Sequence, residues 1–574
     1  MADPLVIVAD LLAPAFAAVA GGDSSVDPVV RPSDRADAQA NGALALAKQL
    51  GRKPRDVADD VVAAANLSGK AMLEVAGPGF INVTFDESFL KEQLHSLEAD
   101  ERLGVRSVTN PERVVVDYSA PNIAKEMHIG HLRTTVIGDA LVRLLEFVGH
   151  TVIRENHVGD WGTPFGMLIE HLTDIGETEA ASELSVGDLD GFYKQARTKF
   201  DASEEFQDRA RKRVVMLQSG DDETLRLWKL LVDLSMQYFD RLYRELGVLL
   251  TNADLAGESM YNDLLPEVVE RLRTAGLLQE SDGAEVVFPP GYTNREGEPL
   301  PLIVQKRGGG FNYGTSDLAC VLDRVERVKA TLLLYVVGAP QSQHLAMVFD
   351  VAAMAGWLRP PARAVHVAFG NVLGADRKML KSREGEPARF VDVVDEAIER
   401  ATASVKEKNP DLPPDEQVDI GRVVGTGALK YADLSTDRIK DYVFDWDRML
   451  AFEGNTAPYL QYAHARIRSI MRRAGAATSA DGLEPTLTPE ERHLVLQLLQ
   501  FDAAVHDTLD KYSPHRLCTY LFELAQSFTS FYEACPVLKA DPETRAFRIR
   551  LCEQTSRVLA KGLDLLGIEA PERM

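Results

Sequence analysis

The stretch "RVVVDYSAPNIAKEMHIGHLRTTVIGDALVRLLEFVGHTVIREN", residues 113–156, decides how the chain is to be read. Branched apolar residues from Arg113 to Tyr118 read as a buried strand, and "TVIREN" as a second. Between them Ile129, Leu132, Val136, Ala140, Leu144 and Leu145 recur at spacings of three and four, so the segment from about His128 to Val148 is an amphipathic helix with Gly149 as its C-cap. Strand, helix and strand make a βαβ unit. The loop between strand and helix carries two histidines three residues apart, His128 and His131, which lie on one face of the helix start.

A helix N-terminus offers free N–H groups and the positive end of a dipole, so two imidazoles there form donors aimed at an anion such as a phosphate. Gly130 between them has no Cβ, which lets a flat ring such as adenine approach the backbone. A single surface histidine near a helix start would mean nothing. A metal pair is less suited, because helical zinc pairs sit at i, i+4 and no third ligand is near. The glycines of the G-x-G-x-x-G dinucleotide loop are absent.

Further apolar strands stand far downstream, at "TLLLYVVG" (331–338) and "AVHVAFG" (364–370). The charged, helical and then Pro/Gly-rich stretch of about 170–305 reads as an insertion between two halves of one parallel sheet. Residues 1–105 alternate helical patterns with one extended piece, "GPGFINVTF". "DAQANGALALAKQLGRKPRDVADDVVAAA" reads as helical. Beyond about 386 nearly everything is helical, with no internal repeat.

The 574 residues suffice for about three or four domains. Four separated cysteines, with no C-x-x-C pair, argue against structural zinc or a disulfide framework and fit a reducing cytosol. No apolar run spans a membrane. The N-terminal "MADPLVIVADLLAPAFAAVAG" lacks a basic start and carries Asp3 and Asp10, so it reads as a buried helix rather than a signal peptide. Eighty-seven acidic residues against 63 basic give a net charge of −24, which excludes a general nucleic-acid binder. The exception is local. Residues 455–475 hold Arg466, Arg468, Arg472 and Arg473 and no acid, with Tyr459 and Tyr462 interleaved. These are the ingredients of single-stranded RNA recognition or, equally, of a solvated helix face.

"PNIAKEMHIGH" (121–131) resembles the HIGH signature of class I aminoacyl-tRNA synthetases, and in its flanks arginyl-tRNA synthetases in particular. "ADRKMLKSREGEPARF" (375–390), which carries Lys378, Lys381 and Arg383, resembles the KMSKS loop of the same class. It reads Lys378-Met379-Leu380-Lys381-Ser382 here, with leucine in place of the usual first serine. The resemblance implies that His128, Gly130, His131, Phe369, Lys378 and Lys381 contact ATP, delivered with Mg²⁺. His128, His131 and both lysines would be catalytic, with Lys381 neutralising the leaving pyrophosphate. No zinc is expected.

A guanidinium substrate calls for carboxylates and an aromatic face. Tyr313 and Asp317, four apart, share a helix face, and Glu258 offers a second acid. Tyr–x₃–Asp pairs are common, however, and Glu258 next to Ser259 could merely start a helix. All three match positions that grip the guanidinium in arginyl-tRNA synthetases. Ala120, Pro121, Asn122 and Gln341 match positions around the amino and carboxylate groups of arginine, and His131 matches one that also touches the amino acid.

Residues 455–475, "PHRLCTYLFELAQSFTSFYEACPVL" (514–538) and "GLDLLGIEAPERM" (562–574) resemble the anticodon-binding domain of that family. "GPGFIN" resembles its tRNA D-loop-reading domain, with Phe80 and Asn82 as contacts. Tyr459, Tyr462 and Arg466 are the anticodon-side candidates. The expected fold is therefore α/β: a class I Rossmann-type parallel-sheet catalytic domain with an insertion (106–385), a small N-terminal α+β domain (1–105), a helical connecting region (386–450) and an all-α anticodon-binding domain (451–574). The expected partners are tRNA(Arg), L-arginine and ATP, for a cytoplasmic monomer without membrane attachment or an editing domain. The rival readings are a silent paralogue that only binds tRNA, a synthetase for another amino acid, and a small-molecule nucleotidylyltransferase.

Overall fold

The computed structural model describes residues 3–22, 26–33, 35–180, 189–381, 388–475 and 485–574. Helix α1 (Pro4–Val19) starts at Asp3, whose side chain accepts the Leu5 N–H at 2.8 Å, and it buries Val8, Leu12, Ala15 and Phe16. Strands β1 (Val30–Ser33) and β2 (Ala36–Ala40), helices α2 (Gly42–Leu50) and α3 (Pro54–Ala64), strands β3 (Ala71–Ala76) and β4 (Phe80–Phe85) and helix α4 (Glu87–Ala99) follow. The strands form an antiparallel sheet in the order β1-β2-β4-β3. This corrects the sequence reading, which expected one extended piece and counted Asp37–Ala40 as helix. Alanine favours helix in isolation, but pairing with β4 (Ala38 with Val83, Ala40 with Ile81) buries both alanines and outweighs that propensity.

The central sheet comprises β5 (Arg113–Asp117) and β6 (Thr151–Glu155), joined by helix α5 (Ile129–Phe147) as the βαβ reading required. Helices α6 (Thr163–Ile175), α7 (Leu189–Ala202), α8 (Glu204–Gln218), α9 (Asp222–Leu246) and α10 (Leu265–Thr274) come next. A three-stranded antiparallel sheet, β7 (Gln279–Ser281), β8 (Ala284–Val287) and β9 (Leu302–Gln305), flanks the stretch read as Pro/Gly-rich, which forms the connection from β8 to β9. Helix α11 (Tyr313–Glu326) leads to β10 (Leu332–Tyr335), helix α12 (Ser342–Met354) and β11 (Arg363–His366). All pairings in the order β11-β10-β5-β6 are parallel. The chain thus leaves β5 toward β6 on one side and returns to β10 on the other. That reversal is the switch point where ligands bind in such sheets, beyond the strand C-termini.

Val114, Val115 and Val116 are fully buried, because the sheet is covered on both faces. α5 packs close enough that a Cβ at Gly138 would collide with the Tyr118 ring. Beneath the switch point the buried Arg324 of α11 donates to Asp117 at 2.8 Å and to Glu155 at 2.7 Å, the last residues of β5 and β6. β12 (Val372–Leu373), α13 (Phe390–Lys408), α14 (Pro414–Leu434), β13 (Tyr442–Val443) and α15 (Trp446–Met449) complete this unit.

Helices α16 (Ala457–Ala474), α17 (Pro489–Leu499), α18 (Phe501–Asp510), α19 (His515–Ala534) and α20 (Pro542–Leu565) follow. Residues 1–107, 452–564 and 569–574 form one compact unit, and 108–451 with 565–568 the other. Among the described residues no helix is long and apolar enough to cross a membrane.

Candidate active site

His128 is the N-cap of α5, and its Nδ1 accepts the Gly130 N–H at 3.0 Å. His131 Nδ1 accepts the His128 N–H at 3.0 Å, and the ring centroids stand 4.0 Å apart. Desolvation lowers the pKa of His128, against the opposing charge of Asp190. Burial, reinforced by His128, lowers that of His131 to about 3. Both rings are therefore neutral at pH 7. With each Nδ1 spent as an acceptor, the proton of each ring belongs on Nε2, leaving two N–H donors at the helix N-terminus. Gly130 has a reason beyond a nucleotide ring: a Cβ there would lie 2.8 Å from the His128 imidazole.

The lysine loop is tied to this turn through the backbone. Leu380 N–H donates to Val372 O at 3.1 Å and Gly374 N–H to Lys378 O at 2.8 Å, closing a tight hairpin at whose tip Arg377 takes φ +58°. The chain returns at Ala388, whose carbonyl accepts the Ile129 N–H at 2.9 Å, while Phe390 N–H donates to Met127 O at 2.8 Å. Lys378 and Lys381 are exposed. Ser382 and Arg383 lie outside the described residues. Phe369, 7 % exposed, is packed against the Arg133 guanidinium 5.7 Å away.

Between β5 and α5 the backbone takes left-handed conformations at Ser119 (φ +73°), Ala120 (φ +49°) and Ala124 (φ +57°). Such φ values cost non-glycine residues about 1–3 kcal/mol each and persist only where surroundings enforce them. Ser119 Oγ lies 2.7 Å from the Tyr243 hydroxyl, Ala120 N–H donates to Asn156 Oδ1 at 3.0 Å, and Ala124 N–H to Ser235 Oγ at 3.0 Å. Pro121 O accepts from Gly159 N–H at 3.1 Å, leaving Asn122 exposed beside it. Tyr243 and Ser235 belong to α9, so the helix read as part of an insertion holds the loop of Ala120, Pro121 and Asn122. Ser119, Asn156, Ser235 and Tyr243 carried no sequence signal, because their roles exist only once α9 is docked.

Tyr313 opens α11 and is 65 % exposed, and Asp317 follows one turn later. Gln341 ends a short 3₁₀ turn that runs into α12. Three residues on, His344 donates from Nε2 to Asp317 Oδ2 at 2.5 Å, with its ring 4.8 Å from that of Tyr313. Glu258 begins another 3₁₀ segment, as a helix-start acid would. Burial raises its carboxyl pKa; the neighbouring His157 opposes this, and the charges of Asp160 and Asp317 add to it. Asp160 accepts from Ser259 N–H at 2.8 Å and Ser259 Oγ at 2.6 Å, and burial raises its pKa too. Acids from three separate segments thus share one electrostatic neighbourhood, in which a cation would be favoured.

In the other unit, Phe80 and Asn82 lie half-buried on β4, and Asn82 Oδ1 accepts from Gln39 Nε2 at 2.9 Å. On α16, Tyr462 is 46 % exposed, the Tyr459 ring lies 5.6 Å from Phe522, and the Arg466 guanidinium stands 4.4 Å over Tyr532. The segment is less purely basic than its sequence, because Glu572 accepts from Arg468 Nε at 2.7 Å and its carbonyl from Arg472 at 3.0 Å. Among the described residues no group of three or more His, Cys, Asp or Glu is arranged to hold a metal.

The family described as tRNA synthetases class I (R), catalytic domain, matches residues 93–446. The arginyl-tRNA synthetase N-terminal domain matches 7–85 and the DALR anticodon-binding domain 460–574. A parallel sheet with a HIGH turn at its switch point, bonded to a two-lysine loop, defines a class I aminoacyl-tRNA synthetase. The chain is 55 % identical to the arginine–tRNA ligase of Thermobifida fusca over 100 % of both chains, and 50 % identical to that of Frankia casuarinae over 96 % of this chain and 95 % of the relative. The solved arginyl-tRNA synthetases of Plasmodium falciparum (TM-score 0.85, 26 % identity, 99 % of both chains) and Thermus thermophilus (0.83, 27 %, 99 % of this chain and 100 % of that one) share the fold. The chain belongs to the arginine–tRNA ligase family.

Proposed function

We propose that this chain activates L-arginine with ATP and transfers it to the 2′-hydroxyl of the terminal adenosine of tRNA(Arg), using the residues placed above. The observation that supports this assignment best is that Asp317, one turn beyond Tyr313 on α11, shares an acidic neighbourhood with Glu258 and Asp160, a combination of acids and an aromatic suited to a guanidinium. Ala120, Pro121, Asn122 and Gln341 hold the amino-acid end.

The arginine carboxylate attacks the α-phosphorus of ATP; the new O–P bond forms as the bond to the β-phosphate oxygen breaks, releasing pyrophosphate. The Nε2–H groups of His128 and His131 donate to the α-phosphate oxygens where charge accumulates. Lys378 and Lys381 neutralise the departing pyrophosphate, and Mg²⁺ arrives as part of the MgATP substrate, held by phosphate oxygens. The 2′-hydroxyl oxygen then attacks the adenylate carbonyl carbon; the ester C–O bond forms as the acyl C–O bond to the phosphate breaks, and AMP leaves while the hydroxyl proton passes to its phosphate or to solvent. No protein nucleophile takes part, because positioning and electrostatics supply the catalysis. Phe80 and Asn82 read the D-loop, while Tyr459, Tyr462 and Arg466 serve the anticodon side. The chain acts as a cytoplasmic monomer and needs tRNA for the first step.

Pyrophosphate exchange into ATP, run with each standard amino acid with and without tRNA, tests this. Exchange with arginine alone, appearing on addition of tRNA, is expected. Exchange with another amino acid would overturn the pocket. Its absence with every amino acid, from folded protein that still binds tRNA, would leave the silent paralogue, which nothing so far favours.

A further inference from the structure

We propose that His344 is a positioning residue for arginine recognition: its imidazole aims the Asp317 carboxylate at the substrate guanidinium. This rests on the reading of Asp317 and Tyr313 as guanidinium contacts. A partly exposed carboxylate on the second turn of a helix, without a partner, turns about its side-chain bonds, and fixing it on binding costs affinity. His344 removes that freedom beforehand. It comes from a different helix, α12, and its Nε2 is 2.5 Å from Asp317 Oδ2. Because a carboxylate only accepts, the imidazole is the donor and its Nε2 carries the proton. One hydrogen bond uses one lone pair of Oδ2; Oδ1 and the second lone pair of Oδ2 stay available for the two N–H groups of a guanidinium fork.

The same ring is anchored on a second side. It stands 4.8 Å from the Tyr313 ring at 60°, so one imidazole touches both side chains of the Tyr–x₃–Asp pair. His344 is also three residues from Gln341, at the start of the helix that Gln341 leads into. The turn that presents the contact for the amino end of the substrate therefore also orients the contact for its side chain. This ties the two ends of the pocket at a spacing set by α12. A tie holding α11 to α12 for stability alone would show none of the substrate selectivity that follows.

The test is steady-state aminoacylation by three variants. His344→Phe keeps a ring against Tyr313 and removes the donor; it should raise KM for arginine about 10- to 100-fold, the factor for losing a hydrogen bond to a charged group. KM for ATP, kcat at saturating arginine and the unfolding temperature should be nearly unchanged. His344→Gln carries an amide N–H with similar reach and should recover arginine KM to within about 3-fold of the parent. Asp317→Asn reports on the underlying reading. If it leaves arginine KM unaltered, the pocket assignment fails. If it raises KM while His344→Phe does not, only the role of His344 is overturned. Equal loss for ATP and arginine, or failure of the glutamine to restore KM, also overturns it. Should His344→Phe not fold, His344→Asn, too short to reach Asp317, replaces it with the same expectation.

Discussion

In the proposed mechanism His128 and His131 work through the atoms their backbone bonds leave over. Backbone N–H groups consume both Nδ1 lone pairs, so neutral rings present Nε2–H outward. Replacing His128 with asparagine should lower kcat in pyrophosphate exchange about 10²- to 10³-fold, the scale of losing one preorganised donor to a developing anion, with arginine KM little altered. The proposed pocket makes Glu258 the group that sets the pH dependence. Its carboxyl pKa is raised by burial and neighbouring acids; a guanidinium bound there as proposed would take the ionised form, so binding would drive off a proton. kcat/KM for arginine should therefore fall as the pH drops through a value above the ordinary glutamate range, and Glu258→Gln should abolish that limb while weakening binding overall. A pH series of kcat/KM for both proteins decides it. The histidines add no limb near neutrality, because His131 protonates only at about 3 and the pKa of His128 is lowered as well. At this scale spacing showed two histidines on one face of a helix start and Tyr313 and Asp317 on one helix face, while the lysines and the pocket roles were read through the resemblance to the family. His344 was not, although it lies three residues from Gln341, because its meaning depends on a partner on another helix.

Helix α5 shows what an element needs beyond its pattern. Its apolar spacing was readable, yet the turn after the HIGH residues also buries Arg133, whose Nε lies 3.0 Å from an Asp433 oxygen on α14. Arg133 further donates to Lys440 O at 3.1 Å, and its guanidinium is flanked by the rings of Phe369 and Tyr442. Removing one partner strands a charge in the core: Asp433→Ala should cost about 3–5 kcal/mol in urea unfolding, whereas Arg133→Met with Asp433→Leu should recover most of it. The double variant should nevertheless lose activity if the pair also holds α5 in place for catalysis. Ala36–Ala40 makes the complementary point, since its local preference is helical and its state is strand. Pairing on both sides, with β1 and β4, and burial supplied what five residues without a branched or aromatic side chain could not announce.

At the scale of the whole molecule, the two ends of the chain build one unit. Arg492 of α17 pairs with Asp37 and donates to Phe85 O at 2.6 Å, so it clamps β2 and β4 against the C-terminal helices. Arg106 holds Asp502 at 2.7 Å, and Arg557 donates to Glu98 O at 2.8 Å and Asp100 O at 3.0 Å. Arg492→Leu leaves Asp37 half-desolvated without its cation and should cost about 2 kcal/mol. Hydrogen exchange should quicken in β2 and β4 more than in the central parallel sheet, and uniform quickening would contradict this arrangement.

What the sequence determined by itself is whatever travels in short-range pattern: the βαβ unit around residues 113–156, the helix start with its two histidines, the lysine loop and the four-residue spacing of Tyr313 and Asp317. Apolar period and terminal chemistry act over a few residues and survive in a linear string. Tertiary structure alone decided which alanines became strand, which acids neutralise Arg133 and Arg324, which ring nitrogens accept backbone N–H groups, and that Tyr243 and Ser235 bond the loop after β5 while His344 meets Asp317. Each of these depends on desolvation and on partners brought together from distant segments, and such energies do not exist until the chain has closed on itself.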